Sequence, residues 1–313
     1  MKRIATISPV WGCSVEELRI LAKEAEAAGF EAIFSPEVPP YSAIANAQVF
    51  AEATSKIKVG TWITNIYMRQ PVMCAAEALT VQEVSGGRMV LGLGVSHKPV
   101  NDRFGIDMKD PIEEMRKYVP AVRSFADGTS PALTIKRELP PFPIYIAGLT
   151  EKTAELAGEV ADGIMSYLTT PDYITKLANA VRSGAKKVKR FSDEVDISGG
   201  VPCFISEDLE AARKAARRGL AGYGRFPFYQ RMIKNVGFGD VAEKIKSGTN
   251  PAEAFTDELL DAVALIGPPE RCREKLEAFR GAGLRLPIIV PNPVGKQSNV
   301  EVMKNMIQAL AEA

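Results

Sequence analysis

The sequence predicts an α/β fold: a (β/α)8 TIM barrel with a helical insertion between its seventh and eighth strands. Three observations predict it. Short, near-continuous apolar runs alternate with amphipathic helical stretches along the whole chain. Eight such runs occur, and continuous apolar strands are the mark of a parallel sheet covered on both faces. The length of 313 residues suits one barrel, a fold that typically needs about 250. The chain, 1–313, is therefore read as a single domain. An open doubly wound sheet is the alternative reading of the same alternation.

The elements follow in order. Ile4 to Val10 is an apolar run ended by proline, the first strand. Ser14 and Glu17 form a capping box for a helix that runs to Ala28, and Gly29 suits its C-terminal stop. Glu31 to Ser35 is the second strand, so the first 36 residues form a βαβ unit. An alanine-rich helix (42–55) leads to a third strand, Lys58 to Thr64. A helix over 70–84, with Pro71 in its first turn, leads to the fourth strand from Met89. Helix 111–126, a proline-rich loop (127–142) and strand 143–147 come next. They are followed by helix 151–160, strand 163–168 and a long amphipathic helix, 172–190. Strand seven lies within 195–205, interrupted by Gly199-Gly200, before helix 207–220. Residues 221–262 break the alternation with an aromatic cluster and helical pieces, and are read as the insertion. Helix 271–281, strand 286–291 and helix 298–311 close the chain.

Composition narrows the function classes. A net charge of +1 gives no field for nucleic acid or a membrane surface. No apolar run reaches the length of a membrane span, and the first residues read as a strand rather than a signal peptide. Four separated cysteines and a single histidine make no zinc motif, and suit reduced thiols in a cytoplasmic protein.

In such a barrel, chemistry sits on the loops after the strands. Those loops hold aromatics, amides and hydroxyls, with Glu37 as the one carboxylate before Asp102. Paired carboxylates for glycoside hydrolysis, metal ligand sets and a nucleophile elbow are all missing. The remaining chemistry is a site for a flat, polar cofactor that does the hard step itself. Residues 85–101 are the richest stretch: a Gly86-Gly87 turn, a buried strand, then Ser96, His97 and Asn101. His97 can hydrogen-bond a cofactor ring or pass a proton near neutral pH; the alternative is a histidine with only a structural hydrogen bond. Ala147-Gly148-Leu149-Thr150 opens directly into a helix, which suits a phosphate, with Gly148 admitting the anion. A purely structural turn is the alternative there. Arg69 and Arg88 are either phosphate ligands or partners of carboxylates. Tyr223, Phe226, Phe228 and Tyr229 are either a substrate lid or packing within the insertion.

Several segments carry a resemblance: Gly29 to Phe34, Ala53 to Gly60, Arg69-Gln-Pro71, Ser85 to Gly94, and Leu156 to Gly163. Together they resemble the luciferase-like monooxygenase superfamily over most of residues 1–170, and again at Gly267 to Glu270 and the last strand. Thr64 to Pro71 looks like the matching segment of methylenetetrahydromethanopterin reductases. Gly94-Val-Ser-His-Lys-Pro with Met115 to Tyr118 is similar to oxidoreductases that use coenzyme F420.

The resemblance implies coenzyme F420, with FMN as the alternative, at the C-terminal mouth, a small-molecule substrate and a homodimer. It implies a non-prolyl cis peptide at Trp62-Ile63 behind the cofactor's central ring. Polar contacts to the ring would come from Thr64, Ser96, His97 and Asn101, and phosphate contacts from Gly148, Leu149 and Thr150. Glu37-Val38 stands where relatives often carry an acidic residue followed by histidine, His97 near a proton-donating glutamate of some relatives, and Trp62 in place of a small residue. The expected activity is hydride transfer between F420 and an organic substrate. An FMN-dependent monooxygenase and a flavin-binding barrel without turnover are the other two readings.

Overall fold

The computed structural model describes residues 2–133 and 136–310. Ten strands form one parallel sheet: β1 (Ala5–Ile7), β2 (Ala32–Ser35), β3 (Lys58–Thr61), β4 (Thr64–Asn65), β5 (Met89–Gly94), β6 (Ile144–Ala147), β7 (Gly163–Tyr167), β8 (Asp196–Ile205), β9 (Leu265–Gly267) and β10 (Leu286–Pro291). Eight of them close a barrel, β1-β2-β3-β5-β6-β7-β8-β10, sealed where β10 pairs with both β8 and β1. The expected (β/α)8 barrel is the observed one.

The helices are α1 (Val15–Ala27), α2 (Ala43–Ala53), α3 (Pro71–Val84), α4 (Lys98–Arg103), α5 (Pro111–Asp127), α6 (Glu151–Val160), α7 (Pro171–Lys187), α8 (Leu209–Gly224), α9 (Pro227–Asn235), α10 (Gly239–Lys246), α11 (Pro251–Ala254), α12 (Asp257–Val263), α13 (Pro269–Gly281) and α14 (Asn299–Leu310). Their starts follow the local chemistry. Ser14 and Glu17 make the reciprocal capping box of α1, and Asp110 caps α5 through the amides of Ile112 and Glu113.

Apolar side chains fill two layers. Ala5, Ile7, Phe34, Val90, Met165 and Ile288 point inward and fill the barrel, while Leu21, Phe50, Leu91, Ile146 and Phe279 pack strands against the outer helices. This double burial is why the strands read as unbroken apolar runs rather than alternating ones. The loop expected over 127–142 is indeed irregular where described; Thr134 and Ile135 lie outside the described residues.

Three features differ from the expectation. The third strand is not continuous to Thr64: β3 ends at Thr61, the non-prolyl cis peptide that the resemblance implied joins Trp62 to Ile63, and β4 resumes beside Leu93 and Gly94 of β5. Residues 98–103 form a helix, because Pro99 sits in its first turn and its six polar-rich residues carry no apolar stripe for the sequence to reveal. The insertion returns through β9, which pairs with the outer end of β8 at Cys203 to Ile205. Three residues are too few to show as a strand in sequence.

Arg88 is a structural residue. Its guanidinium donates to the carbonyls of Ala51, Thr54, Ile57 and Ser85, so it ties the end of α2 to the start of β5.

Candidate active site at the C-terminal mouth

β5 delivers its last residues to the mouth. Ser96 adopts a left-handed conformation, φ 56°, which turns the chain so that His97 stands at the first position before α4, its side chain free of any capping bond. His97 does not stand alone there. Its ring stacks on Phe226 at 4.6 Å between centroids, 19° from parallel, and lies 5.5 Å from Tyr229. Both partners belong to the insertion. The insertion therefore docks on the only histidine, and the resulting burial pulls its pKa below the ordinary 6.5. His97 is neutral at pH 7.

Trp62 forms the floor. Its indole lies against β8 at Gly200, where an added Cβ would fall 2.4 Å from Trp62 Cζ2 and 2.8 Å from Tyr167 Cδ2. The Gly199-Gly200 pair that looked like a strand interruption thus makes room for two aromatic rings. Trp62 meets Tyr167 edge to face at 5.0 Å, Tyr167 meets Tyr223 at 5.1 Å, and Tyr223 meets Tyr229 at 4.9 Å. These rings connect the floor to His97. Tyr167, Tyr223 and Tyr229 are held protonated, because burial raises each pKa above its usual value.

A polar brace stands beside the floor. Glu37 pairs with Arg69 at 2.6 Å and accepts the backbone N–H of Asn65 at 2.8 Å. Arg69 also holds Glu77 and Ser42. Asn65 donates to Asn101 Oδ1 at 2.9 Å, and Asn101 donates to the Val95 carbonyl at 2.9 Å. Asn101 is fully buried. The brace fixes the ends of β2, β4 and β5 relative to one another. Arg69 serves here as a partner of carboxylates.

Two polar atoms next to the brace are satisfied by nothing. Trp62 Nε1 and Thr64 Oγ1 are buried and have no hydrogen-bond partner among the described residues. Tyr67 Oη, three residues on, is likewise buried and unpartnered, as are Arg213 Nε and Asp261 Oδ1 in α8 and α12; buried polar groups are almost always paired, so the three atoms around β4 make this a candidate ligand site.

The turn before α6 is more rigid than the sequence suggested. Gly148 N–H donates to the Met165 carbonyl at 3.0 Å, and an added Cβ would meet Ile164 and Thr153 at 3.0–3.1 Å. Gly148 thus serves close packing of the turn on β7 and α6. Thr150 caps α6 through the Thr153 N–H, and Tyr173 donates to the Leu149 carbonyl at 3.2 Å. The turn is pre-positioned, with the start of α6 opening at the mouth.

The structure thus brings Trp62, Thr64, Ser96 and His97 to one end of the barrel, with Ile63 and Ala147 both lying over Gly94. It ties Glu37 and Asn101 into the brace. Sequence reasoning left Tyr167 and Asn65 without a role, and left open whether the insertion's aromatics reach the mouth. The Gly-Gly pair inside a strand was the available signal for a bulky neighbour.

Fold and mouth together define a (β/α)8 barrel whose C-terminal end is floored by strand residues and roofed by an insertion. The chain belongs to the luciferase-like monooxygenase family, whose model matches residues 6–286. Its sequence is similar to a 5,10-methylenetetrahydromethanopterin reductase of Methanolobus tindarius, 28% identical over 88% of this chain and 89% of that one. Its fold is similar to a coenzyme F420-dependent tetrahydromethanopterin reductase of Methanopyrus kandleri, with a TM-score of 0.81 at 21% identity over 100% and 99% of the two chains. It is also similar to an F420-dependent secondary alcohol dehydrogenase complexed with an F420–acetone adduct, with a TM-score of 0.75 at 18% identity over 99% of each. No helix among the described residues is long and apolar enough to cross a membrane.

Proposed function

We propose that the protein is a coenzyme F420-dependent oxidoreductase that transfers a hydride between F420 and a small organic substrate. The observation that carries this reading is the pair of buried, unpartnered polar atoms, Trp62 Nε1 and Thr64 Oγ1, at the strand ends of a barrel of this family. The names of its F420-dependent relatives support the choice of cofactor.

The residues present fit such a group. Thr64 offers a hydroxyl that either donates or accepts, Ser96 and His97 flank the same mouth, and Ala147 to Thr150 offer a fixed turn for the phosphate. When bound, the deazaflavin supplies the carbon that carries the hydride. The chain contributes position, dryness and proton handling. The brace from Glu37 to Asn101 holds the strand ends in register. The aromatic shell of Tyr167, Tyr223, Tyr229 and Phe226 keeps water away from the reacting centre. His97, kept neutral by burial, has one bare and one protonated ring nitrogen, so it can take up or deliver the proton that accompanies the hydride.

A second reading, an FMN-dependent monooxygenase, is supported by the description of the family itself. Titration of the purified protein with each cofactor separates the two. Saturable F420 binding, followed through its own fluorescence, is expected, with turnover on a suitable acceptor. Saturable FMN binding without F420 binding would overturn the first reading. F420 binding without turnover on any acceptor would favour a cofactor-binding barrel.

A further inference from the structure

We propose that α9 is a rocker with two resting places: against His97, where it closes the mouth, and down against α12, where it opens it. A cavity beneath the helix provides the room for the change. This rests on the reading that the cofactor loads at this mouth, and concerns how the mouth is opened. Three observations carry it.

The first is the cavity. The buried face of α9 carries Tyr229, Met232 and Ile233. A cavity of about 20 Å³ separates these side chains from Leu220 of α8 and from Leu259 and Val263 of α12. Its wall presents only apolar surface, and an apolar cavity stays dry. The lining of a dry void forfeits contacts that it regains when the helix settles into the space.

The second is that α9 is a partition. Tyr229 lines the cavity on one side and lies 5.5 Å from the His97 ring on the other. Phe226, at the start of the same helix, stacks on His97 at 4.6 Å. Thr64, with its unpartnered hydroxyl, is fully buried, so a ligand reaches it only when part of the enclosure moves. A shift of α9 into the cavity draws both rings off His97. Filling the cavity and opening the mouth are then one movement.

The third is the way α9 is attached. Gly222 lies in the last turn of α8 and Gly237 just beyond the end of α9, at φ 102°. An added Cβ at either glycine would touch nothing, so both joints have free space around them. The first turn of α9 receives no side-chain cap from Phe226, whereas Asp208 caps α8 and Thr256 caps α12. The neighbouring helices are fastened at their starts and α9 is not.

The test is made by NMR on protein carrying methyl-labelled methionine. Met232, whose side chain lines the cavity, is the reporter, assigned through Met232→Leu. Relaxation dispersion in the wild-type protein is expected to show microsecond-to-millisecond exchange at this methyl. Pressure favours the state with less void, so it should raise the minor population. Val263→Leu fills the cavity from α12. It should suppress the exchange and slow F420 uptake, followed through cofactor fluorescence, by at least about threefold. Leu259→Ala enlarges the void that the closed position leaves. It should raise the minor population and speed uptake by about the same factor. A Met232 methyl without exchange overturns the proposal. So does a minor population that falls or stays constant under pressure, or uptake that is faster in Val263→Leu or unchanged in both variants. The pressure series needs only wild-type protein, so it decides the matter even if both variants fail to fold. Failure of F420 to bind would defeat the cofactor reading alone, and the methyl exchange would still decide whether α9 rocks.

Discussion

Gly200→Ala tests the floor of the mouth directly. The added methyl would fall 2.4 Å and 2.9 Å from Trp62 Cζ2 and Cη2, and 2.8 Å from Tyr167 Cδ2, where ordinary contact begins at 3.4 Å. A deficit of 1.0 Å at the indole cannot be absorbed without moving a ring that is already pinned edge-on by Tyr167. Overpacking of this kind costs about 1–3 kcal/mol. With an unfolding entropy of about 2.1 cal/mol/K per residue, a chain of this length loses about 1.5–4.5 °C in melting temperature. Trp11→Phe removes the other, exposed tryptophan, so that emission reports Trp62 alone. Calorimetry should show the lower melting temperature, and Trp62 emission should shift as the indole leaves β8. In a Trp62→Ala background the closest contact, at 2.4 Å, and the one at 2.9 Å are gone, and more than half of the penalty should vanish in a double-mutant cycle. An unshifted melting temperature and emission in Gly200→Ala, or a penalty undiminished by Trp62→Ala, would refute the placement of the indole.

Three further outcomes are expected. Arg69→Met leaves Glu37 buried without its partner and should cost about 3–5 kcal/mol in urea unfolding, more than removal of an exposed pair such as Lys98–Asp102. His97 binds its proton more weakly folded than unfolded, so stability should be full above 6.5 and fall as pH drops through 6.5 toward the lower folded pKa. His97→Phe should flatten that slope, and a slope unchanged in the variant would exclude His97 as its source. Phe226→Ala exposes His97 to water, so the single imidazole resonance should titrate closer to 6.5 than in the wild type.

The barrel was legible because burial on two faces writes itself into sequence as plain apolar runs, as in Met89 to Gly94, all six of which are buried. The Ser14–Glu17 cap was legible because it is a local hydrogen-bond exchange. The mouth was legible only as an inventory. Glu37 and Asn101 could be placed at the mouth, but the partners that hold them there, Arg69 in one case and Asn65 in the other, carry no local signal. His97 and Phe226 are 129 positions apart, and no local pattern links them. Gly148 illustrates the same limit: its place before a helix was readable, while the close packing of its Cα on Ile164 and Thr153 was not.

The short strand β9 has a consequence for how such a mouth changes over time. Ser206 leaves β8 and donates to the Gly267 carbonyl at 3.1 Å, and Leu265 re-enters beside Cys203. The strands that flank residues 206–264 are therefore held side by side, one inter-strand spacing of about 4.8 Å apart. Within that span α8 packs on the barrel through Ala212, Ala216 and Leu220, while the entropy of closing the segment beyond it grows only slowly with its length. The stitch makes the roof an interchangeable part. Helices can be lengthened, lost or replaced between α8 and β9 while the eight-stranded base keeps its register, so a new lining can be tried above an unchanged floor.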